Sequence, residues 1–529
     1  MSAILKKSRN ELKGFFAQPE DFESQFSKYY PDSKSFRPSG RHGCPSGGGV
    51  PLSYNKNSSY IAVDDSDAHT LVIGATASKK SRLVAMPMVK ILSEAKESMI
   101  IVDPKSEIYN RTAEGLRENG YNVMSVDLRN PHFGSAWNPL AIPFALFQNS
   151  KRNNDDKAYD RACEFVNDIA NNLSKMQFSD KDPFWENSAA SFLFGLIMLL
   201  FRYAFEKKLN AECVNIRNIL ELRKVLCKDF WAGEVPTLPV RYAQSDPFVY
   251  SLLIGTLEAP KNTQASILST FDQRMRTFTI QPSLCDMLAC DDNIIKGVRD
   301  TPTALFLIVP DEKTSYHNLV SLFIKQSYEY FIHIAQNSDD TKKGIRINYI
   351  LDEFSSLPTI ADFPAMITAA RSRDIRFTLF VQSKHQLDLR YREEAETIRA
   401  NCNNWIFLVS REVSLLQELS TLCGTRRRSS DGSTVPLMSI TSLQRLDKNE
   451  GEALILSGRN KPFIASLRDI TFYDKDNFTI PAKISQRREP FNVNFDFNFS
   501  KSEIETNQIN ENFIDIERLP VNTGTQQGE

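Results

Sequence analysis

Seven short apolar runs, separated by turns and helical patterns, constrain the fold of this 529-residue chain more than any other feature. Helical patterns of about 10–15 residues between such runs indicate βαβ units, and therefore a mostly parallel sheet. The four later runs are apolar on both faces, which is typical of central strands in a parallel sheet. The runs are HTLVIG at 69–74, SMIIVDP at 98–104, YNVMSVDL at 121–128, TALFLIVP at 303–310, INYILDEF at 347–354, FTLFVQS at 377–383 and NWIFLVS at 404–410.

The strand signals stop between about 146 and 265, where long helical patterns such as AYDRACEFVNDIANNL dominate. The sequence therefore predicts an α/β core interrupted by an all-α domain. The expected divisions are an N-terminal polar extension at 1–60, an α/β core at 61–145 and 266–484, an all-α insertion at 146–265, and an acidic, disordered tail at 485–529.

Composition restricts the partners that the chain can attract. The 64 lysines and arginines nearly balance the 65 acidic residues, so the net charge is −1. A polyanion must therefore meet a local basic patch. The run Arg426, Arg427 and Arg428 is our candidate for nucleic-acid contact, although a charge run can also be a solvated surface.

Cysteine usage and hydropathy point to the cytoplasm. The eight cysteines include no CxxC pair, so a structural zinc is not expected, and free thiols suit a reducing compartment. The longest uncharged run, at 187–201, is shorter than the roughly 20 residues that a membrane span needs. We therefore expect a buried helix there and no transmembrane segment.

The segment 74–81, GATASKKS, has the length and position of a phosphate-binding loop between a strand and a helix. Such a loop directs backbone N–H groups, a lysine and a hydroxyl at phosphates and Mg²⁺. Gly74, Lys80 and Ser81 occupy the expected places, with Thr76 inside the loop. Lys79 stands where a second glycine belongs, and that position favours a backbone conformation that side chains resist. A lysine-rich turn without ligand is the competing interpretation.

Asp352 and Glu353 end the apolar strand INYILDEF, as the two carboxylates of a Walker B element do. The first would hold Mg²⁺ and the second would polarise the attacking water. Solvated acids at a strand end are the alternative for this pair taken alone. Gln382 ends the next strand and would lie beside Asp352 if the two strands are neighbours.

Arg371 and Arg373, in AARSRDIR before that strand, could reach a phosphate in a neighbouring subunit as an arginine finger does. A solvated helix end is the other interpretation for either residue.

Taken together, these motifs resemble those of the type IV coupling proteins, the TraG/TraD-like ATPases of conjugation and type IV secretion. The match runs in order from about 70 to 470. Beyond the two Walker-like motifs it rests on SMIIVDPKSEIYNRT, DPFWENSAASFLFGLIM, IRFTLFVQSKHQL and NCNNWIFLVS followed by ELSTLCG.

The resemblance implies a RecA-like motor core interrupted by an all-α domain that is credited with DNA or substrate contacts. It also implies a hexamer around DNA, ATP and Mg²⁺ as cofactors, and relaxase-bound single-stranded DNA as cargo for a secretion channel. By position, Gly74, Thr76, Lys80 and Ser81 would bind ATP, with Ser81 and Asp352 at Mg²⁺. Glu353, Gln382, Arg371 and Arg373 would be the catalytic set.

Two departures from the family pattern leave the function open. Lys79 puts ATP turnover in question, so the enzyme class stays undecided, and a catalytically silent coupling platform is one alternative. The family usually has an N-terminal membrane anchor, which this sequence does not show. We therefore expect a peripheral location at the inner face of the membrane, beside a membrane-anchored partner. An intracellular FtsK- or HerA-like DNA pump is the third hypothesis.

Overall fold

The protein is described by a computed structural model. It covers residues 25–37, 47–174, 183–227, 231–232, 235–310, 312, 316–336, 344–427, 432–473, 478, 481–482, 487 and 497–499. The chain divides into two compact units. The core unit consists of described residues in 1–136 and 292–489, and the helical unit of those in 137–291 and 490–529.

The described ranges contain strands that form one large and three small sheets. In chain order they are β1 Ser27–Tyr30, β2 Ser35–Arg37, β3 Val50–Asn55, β4 Tyr60–Asp64, β5 His69–Ile73, β6 Ser98–Asp103, β7 Asn122–Asp127, β8 Trp231–Ala232, β9 Val235–Pro236, β10 Thr303–Ile308, β11 Ile347–Leu351, β12 Ile375–Val381, β13 Cys402–Phe407, β14 Thr425–Arg427, β15 Thr434–Pro436, β16 Glu452–Ser457 and β17 Phe463–Ser466.

The helices alternate with the core strands and fill the helical unit. They are α1 Met86–Glu94, α2 Glu107–Glu118, α3 Ala141–Asn153, α4 Asp156–Ser174, α5 Phe184–Glu206, α6 Ile216–Cys227, α7 Leu238–Gln244, α8 Pro247–Leu257, α9 Lys261–Ile280, α10 Pro282–Met287, α11 His317–Gln336, α12 Phe363–Ala370, α13 Lys384–Tyr391, α14 Glu394–Asn401, α15 Val413–Leu422, α16 Ile440–Leu443 and α17 Ile470–Tyr473.

The core unit is built on a nine-stranded sheet in the order β17-β16-β13-β5-β12-β11-β6-β10-β7. The seven strands from β13 to β7 are parallel, and only β16 and β17 add antiparallel pairs at one edge. These seven are the seven apolar runs of the sequence. Strands β5, β6, β10, β11 and β12 are buried along their whole length, as their apolar sequences require.

The helical unit is wider than the sequence divisions suggested, because it spans 137–291 rather than 146–265. The helical pattern continues through α9 and α10, and both bury apolar side chains within this unit. Within its described residues the strands are the two-residue pair β8 and β9. Its helix α5 is long and apolar enough to cross a membrane, and 78% of its apolar window is buried.

The described part of 1–60 is not the polar extension that its turn-rich sequence suggested. Strands β1 to β4 form an antiparallel sheet in the order β2-β1-β4-β3. Tyr29, Leu52 and Tyr60 are buried in the same hydrophobic cluster as side chains of α1. Short alternating strands carry few apolar residues each, so their hydrophobic signal is weak until they pack. The tail at 485–529 lies outside the described residues, except for Arg487 and 497–499.

Buried charges stabilise the amino ends of the central strands. Arg376, at the start of β12, forms an ion pair with Glu97 and donates from Nε to Asn348 Oδ1 at 2.8 Å. Asn348 Nδ2 in turn donates to Glu97 Oε2 at 2.9 Å. Arg376 is 4% exposed and Glu97 2%, so each charge depends on the other for its solvation.

Replacing Glu97 with Ala should destabilise the core unit severely. The change leaves Arg376 buried without its counter-charge, which costs about 3–5 kcal/mol of unfolding free energy. Glu312→Ala, which removes an exposed ion pair with Arg129, should cost about 0–1 kcal/mol. Urea denaturation followed by circular dichroism measures both. Equal losses in the two variants would contradict a structural role for the buried pair.

Candidate functional site

The loop at 74–81 is fixed to the strands on both sides of β5. Gly74 N–H donates to Val381 O at 3.1 Å, and Ala75 N–H donates to Val409 O at 2.8 Å. A Cβ on Gly74 would lie 2.5 Å from Ser78 Oγ, which is closer than any real contact allows. A larger residue at position 74 would therefore force the Ser78 side chain to move.

Two non-glycine residues of the loop have left-handed backbones. Ala77 has φ of +62° and Lys79 has φ of +66°. Lys79 thus adopts the conformation for which the missing glycine is the natural residue, in agreement with the sequence argument. Such a conformation costs a non-glycine residue on the order of 1–2 kcal/mol, so the loop keeps its shape under strain.

The helix after the loop opens irregularly. Residues Ser81–Ala85 form a π turn that runs directly into α1, and Met86 N–H donates to Ser81 O. Pro87 has no N–H to give to the preceding turn, so a widened turn is a physically reasonable accommodation. The helix start brings Lys80 and Ser81 to the carboxyl ends of the strands.

Lys80 lies inside the loop rather than in solvent. Its side chain is buried, and Nζ donates to Gly74 O at 2.7 Å. Burial lowers the pKa of Lys80, while the nearby carboxylates of Glu353 and Asp352 act in the opposite direction. The lysine charge is thus close enough to both predicted Walker B residues to interact with them.

Asp352 directly follows β11 and meets the loop. Ser81 Oγ donates to Asp352 Oδ2 at 3.1 Å, although 271 residues separate them in the chain. Asp352 is 7% exposed, and burial, with a contribution from Glu353, raises its pKa to about 6. A hydroxyl and a carboxylate paired in this way are the oxygen ligands that Mg²⁺ prefers.

A chain of hydrogen bonds joins Glu353 to the loop. Glu353, whose φ is +52°, accepts at Oε2 from Gln382 Nε2 at 2.8 Å. Gln382 Oε1 accepts from Thr76 Oγ1 at 3.2 Å. Glu353 and Gln382 can meet because they follow the neighbouring strands β11 and β12. The side chains of Thr76, Gln382 and Glu353 therefore form one chain of hydrogen bonds.

One buried carboxylate at this edge was not assigned a role from the sequence. Asp103 ends β6, the strand next to β11, and accepts from Tyr109 N–H at 2.8 Å. It is 1% exposed, and burial raises its pKa to about 7, with a smaller contribution from Asp352. Its position in SMIIVDP, at the end of an apolar strand, is the same signal that identified Asp352.

Arg371 and Arg373 do not lie beside the other candidate residues. They form a short 3₁₀ turn before β12, whereas Gln382 follows that strand. The seven residues of β12 span about 23 Å at roughly 3.3 Å each. The two arginines are therefore at the opposite edge of the sheet from the loop.

The basic run also lies apart from the loop. Arg426 and Arg427 belong to β14, which pairs with β15 as a hairpin. Arg427 is exposed and Arg426 partly exposed, while Arg428 lies outside the described residues.

The arrangement suits a phosphate chain and a divalent cation. A glycine-opened loop, a buried lysine and a hydroxyl–carboxylate pair meet at the carboxyl edge of a parallel sheet, where α/β folds bind ligands. Ser78 Oγ is buried in this loop without a hydrogen-bond partner among the described residues. In the part of the chain that the structure describes, no cluster of three or more His, Cys, Asp and Glu residues could hold a metal without help from a ligand.

The sequence of the chain is similar to that of a known protein family. The family model described as "Type IV secretory system Conjugative DNA transfer" matches residues 22–456. A search of curated protein sequences gave no significant match.

Solved structures of coupling proteins have a similar fold. The bacterial conjugative coupling protein TrwBdeltaN70, in an unbound form, is 16% identical over 83% of this chain and 91% of that chain, with a TM-score of 0.57. The plasmid coupling protein TrwB in complex with ADP and Mg²⁺ is 16% identical over 81% and 92%, with a TM-score of 0.56. TrwB in complex with a non-hydrolysable ATP analogue is 17% identical over 80% and 88%, with a TM-score of 0.53. These likenesses confirm the predicted fold class, a RecA-like core interrupted by an all-α domain.

Matched substitutions at Lys79 should reveal the backbone strain. Glycine adopts a positive φ without steric cost but loses about 0.5–1 kcal/mol more chain entropy on folding, whereas alanine keeps the strain. We expect Lys79→Gly to unfold with a free energy about 0.5–1 kcal/mol higher than Lys79→Ala in urea denaturation. As a control, Ala75→Gly, where φ is not positive, should destabilise. A Lys79→Ala variant as stable as Lys79→Gly would show that the loop is relaxed.

Proposed function

The chain belongs to the type IV secretory system conjugative DNA transfer family, and we propose that it is the coupling ATPase of such a system. In this role it hydrolyses ATP to drive relaxase-bound single-stranded DNA into a conjugation or type IV secretion channel. The observation that carries the proposal is the hydrogen bond from Ser81 to Asp352, which joins the predicted phosphate loop to the predicted Walker B strand.

The residues at this edge fit ATP and Mg²⁺. The strained loop holds the Ser78 hydroxyl, which has no hydrogen-bond partner among the described residues, and the Lys80 ammonium, and both groups suit phosphate oxygens. Ser81 and Asp352 would hold the metal ion. Bound Mg²⁺ would neutralise charge on the phosphates. The structural relative TrwB has been solved with ADP and Mg²⁺, which agrees with this assignment.

Glu353 and Gln382 have the positions that the hydrolytic step requires. Glu353 stands beside Asp352 and can take a proton from an attacking water. Gln382 donates to Glu353 and accepts from Thr76 of the loop, so it orients the base relative to the phosphate site. A change in the loop on ligand binding would therefore reach Glu353 through Gln382.

Lys79 favours a second candidate, the catalytically silent platform. Its left-handed backbone stores strain, and it adds a cation to the loop beside Lys80 in the sequence. Yet the loop already has the conformation that a glycine would allow. The hydrogen bonds from Ser81 to Asp352 and from Gln382 to Glu353 are also formed. These observations support the ATPase over the platform.

Partners follow from the same proposal. DNA and the type IV secretion system are the partners of the family. Relaxase cargo, a homohexamer and a peripheral position beside a membrane-anchored protein are the finer parts of our proposal. The location of Arg371 and Arg373 at the far edge of the sheet supports action on a phosphate in a neighbouring subunit, because their own site is out of reach. The exposed hairpin of Arg426 and Arg427, with Arg428, is our candidate for DNA contact.

Two carboxylate variants test the ATPase. Asp352→Ala should abolish Mg²⁺-dependent binding of a fluorescent ATP analogue, because it removes a metal ligand. Glu353→Gln should keep that binding but slow phosphate release, with single-stranded DNA present, by about 100-fold or more. The exposed Glu396→Gln is a control that should leave both measurements unchanged. Normal turnover by Glu353→Gln would refute its assignment, and an inactive parent chain would favour the platform.

Replacing Arg426, Arg427 and Arg428 together with Ala should weaken binding of single-stranded DNA. Each lost phosphate contact lowers the slope of log K against log salt by about 0.7 for single strands. We expect a slope smaller by about 1–2 in fluorescence anisotropy titrations across salt concentrations. An unchanged slope would exclude the hairpin from the DNA path.

A further inference from the structure

A cavity of about 760 Å³ opens at the amino edge of the central sheet, opposite the phosphate loop. Its wall comes from the segment before β5, the turn before β12, the start of β13 and the turn between β16 and β17. Several wall residues, including Asn403, Leu422 and Gly458, are exposed, so the cavity is continuous with solvent. The ATP site of this chain and the hairpin lie elsewhere, and Arg371, proposed above to act on a phosphate of a neighbouring subunit, is the one residue that the cavity shares with those proposals.

Most charged side chains of the cavity wall already have partners in the core unit. Asp67 is paired with Arg346 at 2.9 Å, and Asp64 accepts from Asn404 Nδ2 at 2.5 Å. Arg399 is paired with Asp388. The acidic groups that line the cavity are thus already engaged with side chains of the core.

Two arginines of the wall are available to a ligand. Arg371 and Arg459 are both exposed, and within the described ranges neither guanidinium has a hydrogen bond or an ion pair. They stand on different elements, the turn before β12 and the turn after β16. The unpaired charge of the cavity is therefore positive and is carried by two separate guanidinium groups. This arrangement suits a ligand with several negative charges.

Trp405 adds an aromatic surface between these elements. It lies on β13, is partly exposed, and lines the cavity. Its indole N–H donates to Cys402 O at 3.1 Å, so this polar group is satisfied by the protein itself. What the ring offers to a ligand is its apolar surface, which suits stacking with a nucleobase.

We propose that this cavity binds a nucleotide unit of single-stranded DNA, with Arg459 on a phosphate, Trp405 against the base and Arg371 as a second cation of the wall. The inference rests on the proposed function and adds to it a site for the strand. Aromatic rings interleaved with unpaired cations are how proteins hold single strands without reading sequence. The volume lies within the range of small-ligand pockets and admits one nucleotide rather than a duplex.

The surrounding chain gives the strand a path out of the cavity. Leu422, at the rim, ends α15, and the basic hairpin strand β14 begins three residues later at Thr425. Three residues span at most about 11 Å. A single-stranded DNA that leaves the cavity can therefore contact the hairpin next, so the two surfaces can bind neighbouring nucleotides of one DNA strand.

The test compares two neighbouring basic residues in the full chain. Arg459 lines the cavity, whereas Lys461, exposed on the same turn, does not. Arg459→Ala should bind a fluorescein-labelled oligodeoxythymidine about fivefold more weakly than the parent, with a salt slope smaller by about 0.7. Lys461→Ala should bind as the parent does. Arg371 stays unchanged throughout, because it has a separate role in the proposed ATPase.

Trp405 supplies an independent measurement. Trp405→Leu should weaken binding by about tenfold, within the range of a lost base stack, and Trp405→Phe should restore most of it. Thermal unfolding of each variant checks that the fold is intact. Should Trp405→Leu fail to fold, the comparison of Arg459→Ala with Lys461→Ala still shows whether the cavity binds single-stranded DNA.

The outcomes separate this inference from the proposed function. Suppose that the parent protein hydrolyses ATP and binds the oligonucleotide, but Arg459→Ala and Lys461→Ala bind it equally well. This result would overturn the proposed DNA site in the cavity and leave the proposed function standing. A parent that does neither overturns the proposed function itself. If deoxythymidine monophosphate binds as tightly as the oligonucleotide and depends equally on Arg459 and Trp405, the cavity holds free nucleotides and the strand proposal is wrong. Loss of binding confined to the cavity variants, with the mononucleotide much weaker, supports it.

Discussion

The parallel pairing of β5 with β12, and of β12 with β11, is the constraint on which the candidate site depends. Parallel strands that lie side by side release their following loops at one edge of a sheet. The loop after β5, Gln382 after β12 and Asp352 after β11 therefore meet, although they come from distant parts of the chain. The hydrogen bonds from Ser81 to Asp352 and from Gln382 to Glu353 are consequences of this strand order.

The two edges of the sheet manage buried charge in different ways. At the amino edge the buried side chains of Arg376, Glu97 and Asn348 bond to one another and to neighbouring backbone carbonyls, so these three groups support the fold. At the carboxyl edge the carboxyls of Asp352 and Asp103 have pKa values raised by burial, and Ser78 Oγ has no partner among the described residues. Incomplete satisfaction of buried polar groups is costly, and it is tolerated where a ligand completes it.

Lys79 shows how a departure from a motif can leave the shape of the motif intact. Its backbone takes the left-handed conformation of the missing glycine because strand ends on both sides anchor the loop through Gly74 and Ala75. Local strain of this kind persists only when the surrounding structure over-determines the residue. The neighbouring strands thus hold the loop in this shape despite its sequence, and the strain lowers stability without changing the fold.

The sequence by itself determined the seven parallel strands, the helical interruption and the strained position of Lys79 in the loop, because these depend on local hydrophobic pattern and backbone sterics. It did not reveal strands β1 to β4, whose few apolar residues become meaningful only when they pack against α1. It also placed the helical unit at 146–265 instead of 137–291, since helical periodicity does not say which unit a helix packs into. The contact between Ser81 and Asp352, the burial of Asp103 and the cavity beside Trp405 were decided by tertiary structure alone. Strand order and the edge at which a side chain lies are set by packing between distant segments, and no local pattern encodes them.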